Sequence, residues 1–309
     1  MHRVPELSGA EFKTVERIEA FLDRLGLIDR WRVAETGLLV RIRGAEDGRN
    51  VLFRADTDAL PIQEIGTPGH QSETPGQMHA CGHDGHSAIL LGLAAQLAQS
   101  PSVSGCVFLL FQPAEEIGEG AAACMADPAW PETRFDAVFA LHNLPHYPLG
   151  AVVVRDGAFS AQVHSVAIAF EGKTAHAAEP EHGRSPGLAI AEVLRYAETT
   201  SIADAAQTNF MLITPVHAKL GELAYGTSPG TGEVHLTLRC WDPALMAGQK
   251  KMLEHFVKQI ATQHDLVVSC KWLQGFASSQ NDPVATDLIK QASREADLPL
   301  LELDQGFKW

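Results

Sequence analysis

The sequence predicts an α/β protein: a mostly parallel sheet packed with helices and interrupted by a compact α+β segment. Three observations point there. Of 309 residues, 45% are hydrophobic and 20% are charged, enough apolar surface to offset the entropy of ordering a globular chain. Through the first half, short apolar runs alternate with helical patterns, the order expected of parallel strands joined by helices. From about residue 160 the order becomes β-α-β-β-α-β, the ferredoxin-like unit. At roughly 150 residues per domain, the length suits two domains.

Each element has a local reason. Ser8-Gly9-Ala10-Glu11 reads as a capping box, in which the hydroxyl meets an orphan N–H and the carboxylate reaches back. Phe12, Val15, Ile18, Phe21, Leu22 and Leu25 follow at helical spacing, and Gly26 suits the left-handed stop. Residues 38–42 and 51–55 read as strands, 85–98 as a helix of small residues and leucine, 106–111 as a buried strand, and 137–141 as another. In the second pattern, 163–170 is a strand, 186–199 a helix, 210–216 and 233–240 strands, 244–263 a helix and 266–272 a strand. A helix with a strand-like end follows over 284–301, so the α+β segment runs from about 160 to 274.

Composition excludes several classes of function. Twenty-four Lys and Arg stand against 38 Asp and Glu, a net charge of −14 whose field repels a phosphate backbone, so no nucleic-acid partner is expected. No apolar run reaches the roughly 18 residues that span a bilayer, so no membrane partner is expected, and the start of the chain shows no secretory h-region. Five scattered cysteines form no Cys-x-x-Cys pair, which reads as a reducing, cytoplasmic protein without a disulfide framework.

Four short segments gather His, Cys, Asp and Glu at the ends of predicted strands, where loops converge in open α/β sheets. They are Arg54-Ala55-Asp56-Thr57-Asp58-Ala59-Leu60-Pro61, His79-Ala80-Cys81-Gly82-His83-Asp84-Gly85-His86, Gln112-Pro113-Ala114-Glu115-Glu116 and Leu141-His142-Asn143-Leu144-Pro145. Taken alone, each has a bland alternative. His-x-Cys-x-His offers thiolate and imidazole donors suited to zinc-like ions, or is a polar turn capping the next helix. His79 and His86 either stand behind ligands or, for His86, lie on the helix surface. Adjacent Glu115 and Glu116 need a cation or a shared proton to offset their repulsion, or form an acidic helix start. His142 alone reads as a turn histidine. Together the segments place metal donors at four successive strand ends, with one carboxylate free to move protons.

These motifs, in this order, resemble the metal-dependent amidohydrolases of the aminoacylase and carboxypeptidase type, peptidase family M20. The nearest branch holds hippurate hydrolases, N-acyl-amino-acid amidohydrolases and auxin-conjugate hydrolases. The resemblance spans nearly the whole chain. It implies a zinc-exopeptidase-like catalytic domain over 1–159 and 275–309, with an inserted ferredoxin-like lid and dimerisation domain over 160–274. It implies two divalent ions, zinc or manganese, held by Cys81, His83, Glu116 and His142, with Cys81 bridging. It implies Glu115 as general base and then general acid toward a metal-activated water. Asp58 would orient a ligand, and Asp84 would be a ligand or stand behind one. Gly172-Lys173-Thr174-Ala175-His176-Ala177-Ala178 matches the lid segment whose histidine stabilises the oxyanion, so His176 would reach an active site, that of the partner in a homodimer. The substrate would be an N-acyl amino acid or small peptide-like amide.

The chain also departs from the family pattern. Beyond a segment like Gly306-Phe307-Lys308-Trp309 the family carries a Glu-Asp-Phe stretch and a final ligand histidine. No histidine follows His264 here, so the expectation is an incomplete second metal site, an exposed apolar face and poor solubility. The family's Asn-x-Ile-Pro segment is replaced by Ala224-Tyr225-Gly226-Thr227-Ser228-Pro229-Gly230. Two alternatives follow. One is a non-catalytic relative with an eroded metal site. The other is a cysteine hydrolase with Cys81 as nucleophile and His83 or His142 as base, disfavoured because surrounding carboxylates raise a thiol pKa.

Overall fold

The computed structural model describes residues 1–99 and 104–308. Trp309, the end of the expected second catalytic segment, lies outside the described residues. Contacts divide the chain into two units, Met1–Tyr147 and Pro148–Trp309.

The first unit contains α1 (Phe12–Arg24), β1 (Arg30–Val33), β2 (Gly37–Arg43), β3 (Glu46–Asp56), α2 (His83–Gln99), β4 (Ser104–Gln112), α3 (Gly120–Ala126) and β5 (Ala137–Ala140). The sheet order is β1-β2-β4-β3-β5. The expectation of a mostly parallel sheet is corrected here: β3 pairs parallel with β4 and β5, but β1 with β2 and β2 with β4 are antiparallel. The cause is local. Ala34 and Glu35 adopt left-handed φ values of 47° and 61° and fold β1 and β2 into a hairpin, with no helical crossover between them. Both faces of the central strands are covered. Leu109 and Phe111 pack with Ile18, Leu22, Leu90 and Ala94 on one side, while Phe108 and Leu110 pack with Leu39 and Cys124 on the other. A strand buried on both faces reads as an unbroken apolar run, as residues 107–111 do.

The capping box is also corrected. Ser8 Oγ donates to Asp58 Oδ2 at 2.7 Å, and Glu11 makes no side-chain cap bond to α1. Glu6 caps instead, its carboxylate accepting from the backbone N–H of Lys13 and Thr14. Glu11 is wholly buried and accepts from Thr36 Oγ1 and from Ala114 N–H, both at 2.8 Å. Its partners lie in the β1–β2 turn and in the loop after β4, and a carboxylate that deep must be hydrogen-bonded.

The second unit contains β6 (Val152–Val154), β7 (Gly157–Ser160), β8 (Gln162–Glu171), β9 (Ala175–His176), α4 (Gly187–Thr200), β10 (Met211–Leu220), β11 (Thr227–Ser228), β12 (Thr231–Cys240), α5 (Pro243–Gln263), β13 (Val267–Phe276), β14 (Ser279–Asn281), α6 (Pro283–Glu295) and β15 (Leu300–Glu302). Four strands form an antiparallel sheet in the order β10-β12-β8-β13. Val166, Ile168 and Phe170 of β8 alternate with less buried neighbours and pack with Val234, Leu236 and Leu238 of β12 beneath α4 and α5. That period-two burial marks a sheet with one covered face. Among the described residues, no helix is long and apolar enough to cross a membrane.

Candidate metal centre

Parallel pairing sets the site. Asp56 lies opposite Gln112 where β3 and β4 end, and β5 ends beside Arg54. The loops that leave these strands therefore converge at one edge, and α2 begins there with His83.

Within the first unit the structure brings Cys81, His83, Glu115, Glu116 and His142 together. Donor atoms of Cys81, His83 and His142 lie within 4.8 Å of one another, and so do those of His83, Glu115 and Glu116. His83 is common to both groups. Cys81 Sγ sits 3.4 Å from His142 Nε2. His83 Nε2 lies 3.7 Å from Glu116 Oε1 and 3.9 Å from Glu115 Oε2, too far for hydrogen bonds. Asp58 is buried behind them. It accepts from His83 Nδ1 at 3.1 Å and from the Glu116 backbone N–H at 2.9 Å. His142 Nδ1 donates to the Asn143 carbonyl at 2.8 Å. In a neutral ring this leaves Nε2 as the lone-pair nitrogen facing the thiol.

Two predicted residues stand apart from these groups. Asp84 Oδ2 lies 2.9 Å from His2 Nδ1. His176 belongs to the second unit, exposed on β9 opposite Thr227, with Nδ1 accepting from Ala178 N–H at 3.1 Å.

The electrostatics are those of a crowded anionic site. Burial raises the proton affinity of Glu115 against the pull of Arg54, and Asp56 and Asp58 reinforce it. Burial likewise raises Glu116 and outweighs the opposing pull of His83, with smaller repulsion from Glu115 and Asp58 adding to the rise. Burial alone would lower His83, but the Asp58 hydrogen bond, Cys81 and Asp56 outweigh it and push its pKa up to about 11. Burial holds His142 down, toward the neutral form. A divalent cation fits this set. His83 Nε2 and Glu116 Oε1 are buried without a hydrogen-bond partner among the described residues, which is costly unless something binds them. Mixed sulfur, nitrogen and oxygen donors suit borderline ions.

Asp56 and Asn143 have no separate role in the sequence reading, and His86 is read there as standing behind a ligand or lying on the helix surface; the structure buries it. Asp56 and His86 are fully buried and joined at 2.6 Å through His86 Nδ1. The helical signal for His86 was its spacing, since i and i+3 share a face with His83. Asn143 had no signal. Its side chain lies so close under Gly82, which has φ +90°, that a Cβ there would meet Asn143 Oδ1 at 2.9 Å.

The model of Peptidase family M20/M25/M40 matches residues 52–306. The chain is 33% identical over 303 residues to the N-acetyl-L-cysteine deacetylase of Bacillus subtilis, covering 98% of this chain and 72% of that protein. It is 30% identical over 316 residues to the N-acetyldiaminopimelate deacetylase of Anoxybacillus flavithermus, covering 99% and 81%. Among solved structures, the Bacillus subtilis YXEP protein, described as a dinuclear metal binding peptidase, superposes with a TM-score of 0.81 at 28% identity, covering 99% of this chain and 80% of that one.

Proposed function

The chain belongs to peptidase family M20/M25/M40 and is a metal-dependent amidohydrolase, and from that premise we propose that it hydrolyses the amide bond of an N-acyl amino acid or a similar small peptide-like substrate. The observation that carries this reading is the convergence of Cys81, His83, Glu116 and His142 beside the half-buried carboxylate of Glu115. The names of the two deacetylase relatives support an acylated amino acid as substrate, and the non-catalytic alternative is not favoured.

Cys81, His83, Glu116 and His142 would hold two divalent ions, zinc or manganese. When bound, the ions supply Lewis acidity that polarises the scissile carbonyl and acidifies the attacking water. Glu115 takes a proton from that water at its carboxylate and later passes it to the leaving nitrogen, so that amide and water become carboxylic acid and amine. Burial already raises the proton affinity of Glu115, which suits the second half of that task. Asp58 fixes the His83 ring by accepting from Nδ1, so Nε2 points at the site. Asp84 supports the same loop through His2. His176 would donate to the carbonyl oxygen as charge develops, supplied by the partner in a homodimer. The catalytic domain would comprise 1–159 and 275–309, and the lid and dimerisation domain 160–274. The enzyme would work in the cytoplasm, where Cys81 stays reduced.

The test combines metal content with a panel of N-acyl amino acids assayed with and without chelator. Chelator-sensitive release of free amino acid, with bound zinc or manganese, is expected. Full activity on such substrates after complete metal removal would overturn the reading.

A further inference from the structure

We propose that Asp56, His86 and Asn143 form a positioning relay that sets the ring of His142 toward Cys81. This rests on the reading of His142 as a metal ligand.

The relay is continuous. The His142 ring is held at Nδ1 by the carbonyl of Asn143, at 2.8 Å. The peptide that carries this carbonyl is itself pinned. His86 Nε2 lies 2.6 Å from the Asn143 side-chain oxygen and 3.0 Å from the Asn143 backbone nitrogen, donating to the first when protonated or accepting from the second when not. The other nitrogen of His86 is held by Asp56 Oδ1 at 2.6 Å. Asp56 Oδ2 is clamped by Arg54 Nη1 at 2.7 Å, and Arg54 Nε reaches Gln112 Oε1 at 2.9 Å. The chain of contacts thus runs from the end of β4 across β3 and the first turn of α2 to the loop after β5. The His86 and His142 rings also touch directly, 4.6 Å between centroids at 60°.

The geometry argues for a task beyond filling space. His86 and Asp56 are at most 1% exposed, and burying such a pair costs desolvation that apolar packing would avoid. His142 follows β5, which is four residues long and, among the described residues, pairs with β3 alone. A ligand in the loop after so short an edge strand needs its orientation imposed from elsewhere. Groups behind a ligating histidine set its tautomer and direction, and their loss costs about 10- to 100-fold in metal affinity.

The experiment uses the full chain with cobalt(II) as the probe. Asn143→Ala, His86→Phe, the double variant and His142→Ala are compared by chelator competition and by the thiolate-to-cobalt absorption band. Asn143 is exposed, so its replacement leaves the core alone. His86→Phe keeps an aromatic ring, slightly larger, and removes both nitrogens. His86→Phe is expected to weaken cobalt binding by about 10- to 100-fold and shift the band. Asn143→Ala keeps the backbone contacts to His142 and His86 and loses only the side-chain oxygen, so it weakens binding less and melts like the unaltered chain when metal-free. The double variant should be no weaker than the worse single one, because one chain of contacts breaks once. Cobalt affinity and band unchanged in folded relay variants, with His142→Ala impaired, would overturn the relay alone. Unimpaired His142→Ala would instead overturn the ligand reading beneath it. If His86→Phe does not fold, His86→Leu, which also removes both ring nitrogens, decides by the same readouts.

Discussion

Glu115 and Glu116 are adjacent, yet their surroundings divide the work between them. The Glu116 backbone is tied to Asp58, and its Oε1 is buried without a partner among the described residues, the situation of an atom that waits for a cation. Glu115 follows Ala114, whose φ of 50° is left-handed and whose N–H is gripped by buried Glu11. A non-glycine residue held there stores strain that the surroundings must sustain, and here it aims the next side chain. Glu115→Gln keeps the shape and removes the proton acceptor. Turnover should fall by about 10²- to 10⁴-fold with metal content, measured by emission spectroscopy, unchanged. A fully active variant would reassign the base. His79 makes a second prediction at this scale. It is buried with neither ring nitrogen hydrogen-bonded. Burial, with His83 and His2 adding to it, outweighs Asp84 and lowers its pKa to about 4. The unfolded chain, near the ordinary value of about 6.5, then binds the proton more tightly than the folded one. Stability contributed by neutral His79 is complete above about pH 6.5 and is lost as pH falls toward 4. Melting of the metal-free protein should drop across that window, and His79→Phe should flatten the difference. A parallel pH profile for the variant would contradict this.

At the scale of elements, the loop 113–119 shows how tightly the site is tied to its frame. Gly120 starts α3, and a Cβ there would come 1.6 Å from the Pro113 carbonyl oxygen. The Gly120 N–H also donates to the Ala114 carbonyl at 3.0 Å. Gly120→Ala must therefore push the backbone that carries Glu115 and Glu116. Metal affinity should weaken by about 10-fold or more, and melting should fall, since overpacking against a fixed neighbour costs about 1–3 kcal/mol. Calorimetric metal titration checks the first effect; an unaltered affinity would mean the loop has slack that its contacts do not suggest. This loop also shows what could be read from residues alone. The strands were legible because an apolar run such as 107–111 has to be buried, and α1 was legible because Val15, Ile18 and Leu22 recur at helical spacing. The four donor segments stood out for their residue types. The hairpin of β1 and β2 was hidden, because its turn depends on Ala34 and Glu35 accepting left-handed φ values that neither residue type announces. Helix α3, a run of alanines around Cys124, has no amphipathic period to detect. The partners of Glu11 escaped notice for a different reason. A local motif, the capping box, competed with contacts to Thr36 and Ala114 that are distant in sequence, and only the folded sheet decides between them.

For the whole molecule, the governing fact is charge. The chain carries a net −14, and its first unit gathers Asp56, Asp58, Glu115 and Glu116 around one histidine ring. Without a cation, folding has to bring these carboxylates together out of water, and the raised proton affinities of Glu115 and Glu116 register that cost. A divalent ion that binds the folded site and not the unfolded chain adds its binding free energy to stability, about 2.7 kcal/mol at one hundred times Kd. The melting temperature should therefore rise when zinc or manganese is returned to chelator-treated protein, saturate with metal concentration, and fall again with excess chelator. Magnesium at equal ionic strength should do less, because thiolate and imidazole donors favour softer ions. Sodium chloride should not substitute, since buried charges are poorly screened. A rise that salt alone reproduces would mean that diffuse repulsion, not a specific site, limits stability, and the donors gathered around His83 would then lose their claim to a metal.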